Sequence, residues 1–294
     1  MTHTVKAILL TLAAMAVFTV LDAAAKLVTQ NLAIPVAIFA RYSIALILTA
    51  FLIWSTGGIR LLQTRHPVLQ IMRGGFLLAS TFCNFFAMSY LQLAQTAAIS
   101  FTIPLWVCAL SVPLLGEHVG LRRWLAVLVG FCGVLIIMRP GTQSFHWAML
   151  VSLVTALMGA LYNIFTRKVG GNDKAETSLF YVCLTGSALA AGPMLTHWQM
   201  PEGWQWLPLV LMGLAGAGGH LMLIQAHRLA PASTLAPFIY TQIIWMTIAG
   251  YLLFGNVPDL ATLLGATIVV ASGIYVFNRE RQKGVDTIAT TPAD

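Results

Sequence analysis

The dominant feature of the chain is a series of long apolar runs separated by short polar gaps. A helix needs about 20 mostly apolar residues to cross the hydrocarbon core of a bilayer. Ten runs meet this length, at approximately residues 7–28, 35–56, 68–91, 94–115, 122–139, 146–167, 176–197, 205–227, 232–254 and 259–278. The runs are about twice as long as a transmembrane strand and lack its alternation. The pattern therefore predicts an all-α integral membrane protein with ten transmembrane helices.

The composition agrees with a location in the bilayer. Of the 294 residues, 59% are hydrophobic and only 9% are charged, whereas a soluble domain carries about 25% charged residues. The sequence contains no HExxH, GxSxG or P-loop motif, and its four cysteines are not spaced as metal ligands. We therefore predict that the protein is not an enzyme and that it holds no metal and no cofactor.

The net charge of +7 is explained by the basic loop residues that set the orientation of the chain in the membrane. We therefore predict no nucleic-acid partner. Basic residues in short loops mark the cytoplasmic side of a membrane protein. With the N-terminus inside, the opposite side carries only Arg139 and, near a helix end, Lys26. The cytoplasmic side would hold Lys6, Arg60, Arg65, Arg122, Arg123, Arg167, Lys168, Lys174, Arg228, Arg279, Arg281 and Lys283. This distribution predicts an inner-membrane protein with both termini in the cytoplasm.

The two halves of the chain resemble each other. Matching segments lie 136 to 141 residues apart: residues 133–139 with 273–279, residues 93–97 with 229–233, and Asp22 with Asn163. The repeat predicts a first unit over residues 1–141, a second over 142–280, and a polar cytoplasmic tail, expected to be disordered, over 281–294. Because each unit has five spans, the copies must cross the membrane in opposite directions. Inverted repeats are typical of secondary transporters, which bind substrate near mid-membrane between the halves.

The residues also resemble a known family, the EamA-type transporters of the drug/metabolite transporter superfamily. The resemblance covers about residues 7 to 280. It rests on these residues and motifs: Lys26, Ala40-Arg41-Tyr42, Pro104, Leu114-Leu115-Gly116-Glu117, Ala160-Leu161-Tyr162-Asn163, Ala226-His227-Arg228-Leu229-Ala230, Gly265 and Gly273. The resemblance implies alternating-access export of small amphipathic or zwitterionic metabolites, such as amino acids, metallophore-like compounds or drugs. An uptake carrier for a vitamin or nucleoside-like metabolite, of the riboflavin or S-adenosylmethionine type, is the alternative, and a channel or structural subunit is a third.

Asp22, Lys26, Arg41 and Arg73 lie inside the predicted spans as charges that the bilayer must accommodate, and the first three are predicted to converge near one end of the cavity. Charges in a bilayer are costly and usually face a cavity or a partner. Asp22 and Arg41 lie at similar depths in adjacent spans, and Lys26 is one helical turn from Asp22. They either form a structural salt-bridge cluster or charge one end of a substrate cavity. Asp22 and Lys26 are the coupling candidates if protons drive transport, although a facilitator without coupling is equally consistent with the sequence.

Other polar and aromatic residues within the spans are candidates for binding a small-molecule substrate. The self-comparison pairs Asn84 with His220, and Trp106 with Gln242, at a separation of 136 residues. Aromatic rings with a few directional polar groups suit an amphipathic metabolite. The complete candidate set is Asp22, Arg41, Asn84, Trp106, Tyr162, Asn163, His220, Tyr240 and Gln242. Apart from the substrate, the expected partner is the lipid bilayer, and the sequence leaves open whether the chain is a monomer or a homodimer.

Overall fold

The computed structural model describes residues 3–56, 58, 62–116, 119–169, 173–230 and 232–289, and this part of the chain is helical. It forms twelve α-helices, and a short 3-10 turn at Gly203–Gln205 precedes the ninth. The helices are α1 (His3–Thr29), α2 (Ile34–Thr56), α3 (Pro67–Tyr90), α4 (Leu93–Ser100), α5 (Ile103–Leu115), α6 (Leu121–Met138), α7 (Ala148–Val169), α8 (Ala175–Thr196), α9 (Trp206–Leu229), α10 (Ala232–Ile239), α11 (Gln242–Phe254) and α12 (Leu260–Ala289).

Ten segments of the described chain are long and apolar enough to span a membrane. Eight of the ten spans are single helices, and the fourth and ninth are formed by the pairs α4–α5 and α10–α11. Their bounds lie within a few residues of the predicted runs, so the all-α, ten-span prediction is confirmed. An even number of spans places both ends of the chain on one face of the bundle. We call it the terminal face, and the opposite one the far face.

The two broken spans have the same construction. The first helix has eight residues in both cases, at Leu93–Ser100 and Ala232–Ile239, and the second has thirteen. Pro104 stands in the first turn of α5, where its missing N–H leaves the carbonyl of Ser100 without a helical donor. In the ninth span Pro237 lies inside α10. The fourth span therefore breaks just before Pro104, whereas the break in the ninth span falls three residues after Pro237.

The helix bounds correct two residue equivalences predicted from the self-comparison. The pairs α4 and α10, α5 and α11, and α3 and α9 are each separated by 139 residues. Gln242 therefore corresponds to Ile103 and Trp106 to Trp245, while His220 corresponds to Thr81 and Asn84 to Leu223. The predicted separation of 136 is wrong here because matching by residue type shifts the register by three residues, almost one helical turn.

The two halves of the chain are interleaved rather than placed side by side. Helix α1 packs on α9, α9 on α2, α2 on α8, α8 on α3, and α3 on α7. Each of these contacts joins a helix of the first repeat to one of the second. The contacts also follow the inverted repeat. Helix α1 corresponds to α7 and α9 to α3, so the contact of α1 with α9 has its counterpart in the contact of α7 with α3. The centre of the bundle is thus lined alternately by the two halves.

Small residues allow the closest of these contacts. A Cβ atom added to Gly74 on α3 would lie 2.7 Å from the Cβ of Thr185 on α8. At the equivalent position, one added to Gly213 on α9 would overlap Ile44 on α2. A Cβ at Gly133 on α6 would lie 2.8 Å from the carbonyl oxygen of Gly265 on α12. The glycines therefore permit a helix separation that no larger residue allows.

The C-terminal segment differs from the sequence expectation. Helix α12 continues through Ala289, so residues 281–289 of the tail that was expected to be disordered are helical. Arginine, glutamate, glutamine and lysine follow the membrane span, and their high helix propensity favours continuation. Residues 290–294, together with Arg60, Glu117 and Pro231, lie outside the described residues. The division of the chain at residue 141 stays a prediction.

Candidate functional site

A cavity of about 530 Å³ occupies the centre of the bundle. Residues from both repeats line it, on α1 to α5, α7 and α9 to α12 and at the two helix breaks. Its volume falls within the range of about 300 to 1,000 Å³ that is typical of small-molecule sites. In the described part of the chain no group of His, Cys, Asp and Glu side chains is arranged to hold a metal ion. The cavity is therefore suited to an organic molecule held by polar and aromatic groups.

Four polar residues of the cavity lie at one depth. Asp22 is seven residues before the end of α1, and Asn84 is six before the end of α3. Arg41 and Thr155 are each seven residues after the start of α2 and α7. At 1.5 Å per residue, all four lie roughly 10 Å below the far face. They form a polar level inside the bilayer, and four different helices supply it.

Helix α3 holds both charged side chains of this level. The Asn84 amide donates a hydrogen bond to Asp22 Oδ1 over 3.3 Å, and Arg41 Nη1 donates to Thr81 Oγ1 over 2.8 Å. Of the two alternatives for these charges, the salt bridge is not formed between Asp22 and Arg41 in the described part of the chain. Each charge instead has a neutral partner on the same face of α3, where Thr81 and Asn84 are separated by three residues.

The guanidinium group of Arg41 is held on several sides. It lies 5.0 Å from the ring centroid of Tyr42 and 5.7 Å from that of Phe85, distances typical of cation–π contacts. The Tyr42 hydroxyl also lies 2.9 Å from Thr81 Oγ1. Thr81 was missed in the sequence, because a threonine within a span carries no functional signal by its residue type alone.

Aromatic and apolar side chains form the wall below the polar level. Phe101 and Tyr240 lie at the breaks of the fourth and ninth spans and pack edge to face, with ring centroids 5.0 Å apart. Both are almost completely buried. Phe18 of α1 and Met246 of α11 add to the same wall. Such a surface suits a planar ring system.

The cavity opens toward the terminal face. Asn163 and His227 line it and are exposed, whereas Asp22 at the other end is 9% exposed. His227 Nδ1 lies 2.8 Å from the carbonyl oxygen of Leu223, which leaves Nε2 as the ring nitrogen free for a ligand. Beyond the polar level the bundle is sealed by buried apolar residues of α1 to α4 and α11. The structure is thus closed at the far face and open at the terminal face.

Six of the nine predicted binding residues line the cavity. These are Asp22, Arg41, Asn84, Asn163, Tyr240 and Gln242. Cavity residues that sequence reasoning missed include Phe18, Ser80, Thr81, Thr96, Ser100, Phe101, Thr155, His227, Met246 and Phe277. Most of these are small hydroxyl or apolar residues, whose types carry little functional signal on their own.

Three predicted residues pack elsewhere. Trp106 lies edge to face with Phe131, with ring centroids 4.9 Å apart. His220 contacts the ring of Phe18 from behind the cavity wall, at 5.1 Å. The ring of Tyr162 lies 5.4 Å from the guanidinium carbon of Arg73. None of the three is part of the cavity lining.

Lys26 is also outside the cavity. Its ammonium group donates a hydrogen bond to the carbonyl of Leu91, at the C-terminal end of α3, where the helix dipole favours a cation. It also lies 5.1 Å from the ring centroid of Phe254 on α11. The side chain therefore closes the far face, and the predicted convergence of Lys26 with Asp22 and Arg41 is wrong.

A second polar network joins α3 to the start of α8 near the terminal face. Gln70 donates to Asp173 Oδ2 over 2.8 Å and to Ser178 Oγ over 3.0 Å, and Thr64 also donates to Asp173. Arg73 donates to the carbonyl of Ser178 over 2.9 Å. Burial alone would raise the pKa of Asp173, but the hydrogen bonds from Thr64 and Gln70 bring it below its usual value of 3.8.

Comparison with known proteins supports a membrane carrier. The chain is 26% identical to an S-adenosylmethionine uptake transporter of Rickettsia bellii over 84% of both chains. It is 33% identical to a riboflavin transporter of Vibrio cholerae over 64% of both chains. It is 24% identical to the pseudopaline exporter CntI of Pseudomonas aeruginosa over 91% of this chain and 94% of the exporter.

The fold is found in a solved structure as well. A protein crystal structure superimposes with a TM-score of 0.64, covering 92% of this chain and 96% of the other at 18% identity. The EamA-like transporter family model matches the chain twice, over residues 5–139 and 146–278. Both matches contain five of the ten spans. The chain therefore belongs to the EamA-like transporter family, in the drug/metabolite transporter superfamily, and is a multi-pass membrane transporter built from two inverted five-helix repeats.

Proposed function

We propose that this protein is an alternating-access carrier that takes up a small metabolite in which an amino-acid headgroup is joined to a heterocycle, as in S-adenosylmethionine. The observation that carries the proposal is the polar level of the cavity. Asp22 and Arg41 line the same closed end, and both are held by neutral partners. A carboxylate beside a guanidinium suits a zwitterion, because the first can bind an ammonium group and the second a carboxylate.

The remaining cavity suits the heterocyclic part. Phe101 and Tyr240 offer ring surfaces adjacent to the polar level, and Gln242 and Asn163 supply amide groups toward the opening. Riboflavin would use the aromatic wall but has no formal charge to match Asp22 and Arg41. The cavity chemistry therefore favours the S-adenosylmethionine class over the riboflavin class.

Uptake replaces export as the favoured direction. The family resemblance alone implied export, whereas the relatives named for S-adenosylmethionine are uptake transporters. A pseudopaline exporter also matches over nine tenths of the chain, so the direction needs a direct test. The basic residues of the terminal face further support a cytoplasmic location for both termini, and the open end of the cavity would then face the cytoplasm.

The substrate is tested with purified protein in liposomes. Uptake of labelled S-adenosylmethionine and of labelled riboflavin is measured for the wild type and for Asp22→Asn and Arg41→Lys. We expect saturable S-adenosylmethionine transport, with KM raised about tenfold or more in both variants, because a charge-assisted hydrogen bond contributes about 1.5 to 3 kcal/mol. Asp259→Asn and Arg228→Lys make the same changes at residues outside the cavity, and their KM should stay within about twofold of the wild-type value. Riboflavin transport alone, or wild-type KM values in both cavity variants, would refute the proposal.

The direction is tested in cells that cannot make the metabolite. Uptake predicts growth on external S-adenosylmethionine only when the protein is expressed, together with sensitisation to toxic analogues. Resistance to the same analogues, without rescue of growth, would instead establish export.

A further inference from the structure

A second concave site lies on the outer surface of the bundle, between α6 and α12. It is a groove of about 380 Å³ and is separate from the central cavity. Its walls are formed by Arg122, Leu125, Ala126, Val129, Ala271 and Tyr275, with Ser272 at its base. The Ser272 hydroxyl donates to the carbonyl of Ala126, which joins the two helices beneath the groove.

The groove runs inward from the terminal face. Arg122 is the second residue of α6, and Val129 lies seven residues further on, so the groove is about 10 Å long. Past it the two helices meet at Gly133 and Gly265, where a Cβ at Gly133 would lie 2.8 Å from the Gly265 carbonyl oxygen. The groove therefore ends where the helices touch, and it is open toward the membrane surface.

The exposed surface of the groove is apolar except at its mouth. Leu125 is 52% exposed and Val129 is 54% exposed, and in a membrane-spanning chain such side chains face lipid. Arg122 is also exposed, and no acidic group is paired with it in the described part of the chain. The half-exposed Tyr275 ring lies beside it. An arginine and a tyrosine at this depth are typical of the headgroup level.

We propose that this groove binds an anionic phospholipid, with the phosphate on Arg122 and one acyl chain along the seam of α6 and α12. Guanidinium groups bind phosphate through paired, charge-assisted hydrogen bonds. Basic pockets between transmembrane helices on the cytoplasmic side are suited to acidic headgroups.

A second copy of the chain fits this face less well. A two-fold axis along the membrane normal would keep both copies of Arg122 at one depth and bring like charges together at the interface. A lipid phosphate, in contrast, neutralises the guanidinium. The charge at the mouth therefore favours a lipid over a dimer contact, and the site is independent of the transported substrate.

The proposal is tested by native mass spectrometry of the purified full-length chain. The protein is titrated with phosphatidylglycerol or phosphatidylcholine of identical acyl chains. We expect preferential retention of phosphatidylglycerol, and about fivefold weaker retention in Arg122→Gln, since one basic residue near the surface contributes about that factor. Arg122→Lys should retain most of the preference. Arg65→Gln removes an exposed arginine on the same face of the bundle, and this variant should retain phosphatidylglycerol as well as the wild type does.

A second variant tests the groove itself. Ala271→Trp adds an indole to an exposed position on the groove wall and should displace phosphatidylglycerol and phosphatidylcholine alike. Equal retention of the two lipids by the wild type, or wild-type retention by Arg122→Gln, would overturn the proposal. So would a lipid-free dimer that Ala271→Trp converts to a monomer, because a second copy would then occupy the groove.

Discussion

At the scale of single residues, neutral side chains hold the charges within the membrane. Arg41 donates to Thr81, and Asp22 accepts from Asn84, so each charged group has a neutral hydrogen-bond partner. A charge held in this way at the closed end of the cavity keeps its capacity to bind an oppositely charged ligand group. The residue types Asp and Arg could be recognised in the sequence because they are rare in apolar runs. Thr81 could not, since threonine occurs in most of the other spans as well.

Removing the Thr81 hydroxyl should loosen Arg41 without altering the cavity volume. Thr81→Val loses the bond to Arg41 Nη1 and the contact with the Tyr42 hydroxyl. We expect KM to rise about fivefold with kcat retained, because one hydrogen bond contributes about 1 kcal/mol. The measurement is initial-rate transport in proteoliposomes. Thr166→Val is the matched control, since its hydroxyl bonds the carbonyl of Tyr162 on its own helix and the residue does not line the cavity.

Proton coupling is a prediction about Asp22. It is the carboxylate that lines the closed end of the cavity, so a coupled mechanism would load and release its proton there. Asp22→Asn should then transport at the same rate with and without a pH gradient, while the wild type is accelerated by the gradient. If Asp22→Asn is accelerated by the gradient like the wild type, Asp22 is excluded as the site of proton coupling. If the wild-type rate is the same with and without the gradient, the protein is a facilitator.

At the scale of helices, close backbone contacts determine which positions tolerate substitution. The neighbours Gly74 and Gly75 on α3 illustrate this, because a Cβ added at Gly75 would meet no atom within 4 Å. One added at Gly74 would lie 2.7 Å from Thr185 Cβ. The sequence shows two adjacent glycines, and only the packing of α3 against α8 distinguishes them.

Alanine substitution should change the stability of the protein differently at these two glycines. Gly74→Ala should destabilise the protein by about 1 to 3 kcal/mol, because the contact with α8 is overpacked. Gly75→Ala should be neutral or stabilise by up to about 1 kcal/mol, since alanine is the better helix former. Thermal unfolding in detergent, followed by loss of helical circular dichroism, measures both. Equal midpoints for the two variants would show that α3 and α8 are packed less closely than described.

The loop before α8 gives a pH-dependent contribution to stability. The pKa of Asp173 lies below its usual value in the folded protein, so its contribution is present at neutral pH and is lost as the pH falls through that folded pKa. Asp173→Asn should lower the unfolding midpoint at neutral pH, and the difference from the wild type should shrink below about pH 4. If the difference in unfolding midpoint between the two proteins is the same at every pH, ionisation of Asp173 does not contribute to stability.

At the scale of the whole molecule, the sequence predicted the spans and the inverted repeat but not the arrangement of the halves. The apolar runs define each helix, and the five-span copies imply opposite orientations. Hydropathy carries no information on which helices touch, because every span is apolar on most sides. The contact of Phe101 with Tyr240, two residues at equivalent helix breaks, joins the repeats at the cavity wall, and only the structure reveals it.

The interleaving of α1, α9, α2, α8, α3 and α7 also has a consequence for how the chain is made. Helices α1 to α3 leave the ribosome and enter the bilayer before the helices that separate them exist. They must stay loosely associated, or be held apart by the insertion machinery, until α7 to α9 slide between them. We expect residues 1–141 expressed alone to be degraded, and co-expression with residues 142–294 to restore a stable complex, as measured by pulse-chase labelling. Long-lived residues 1–141 without their partner would show that the first half is a folding unit of its own.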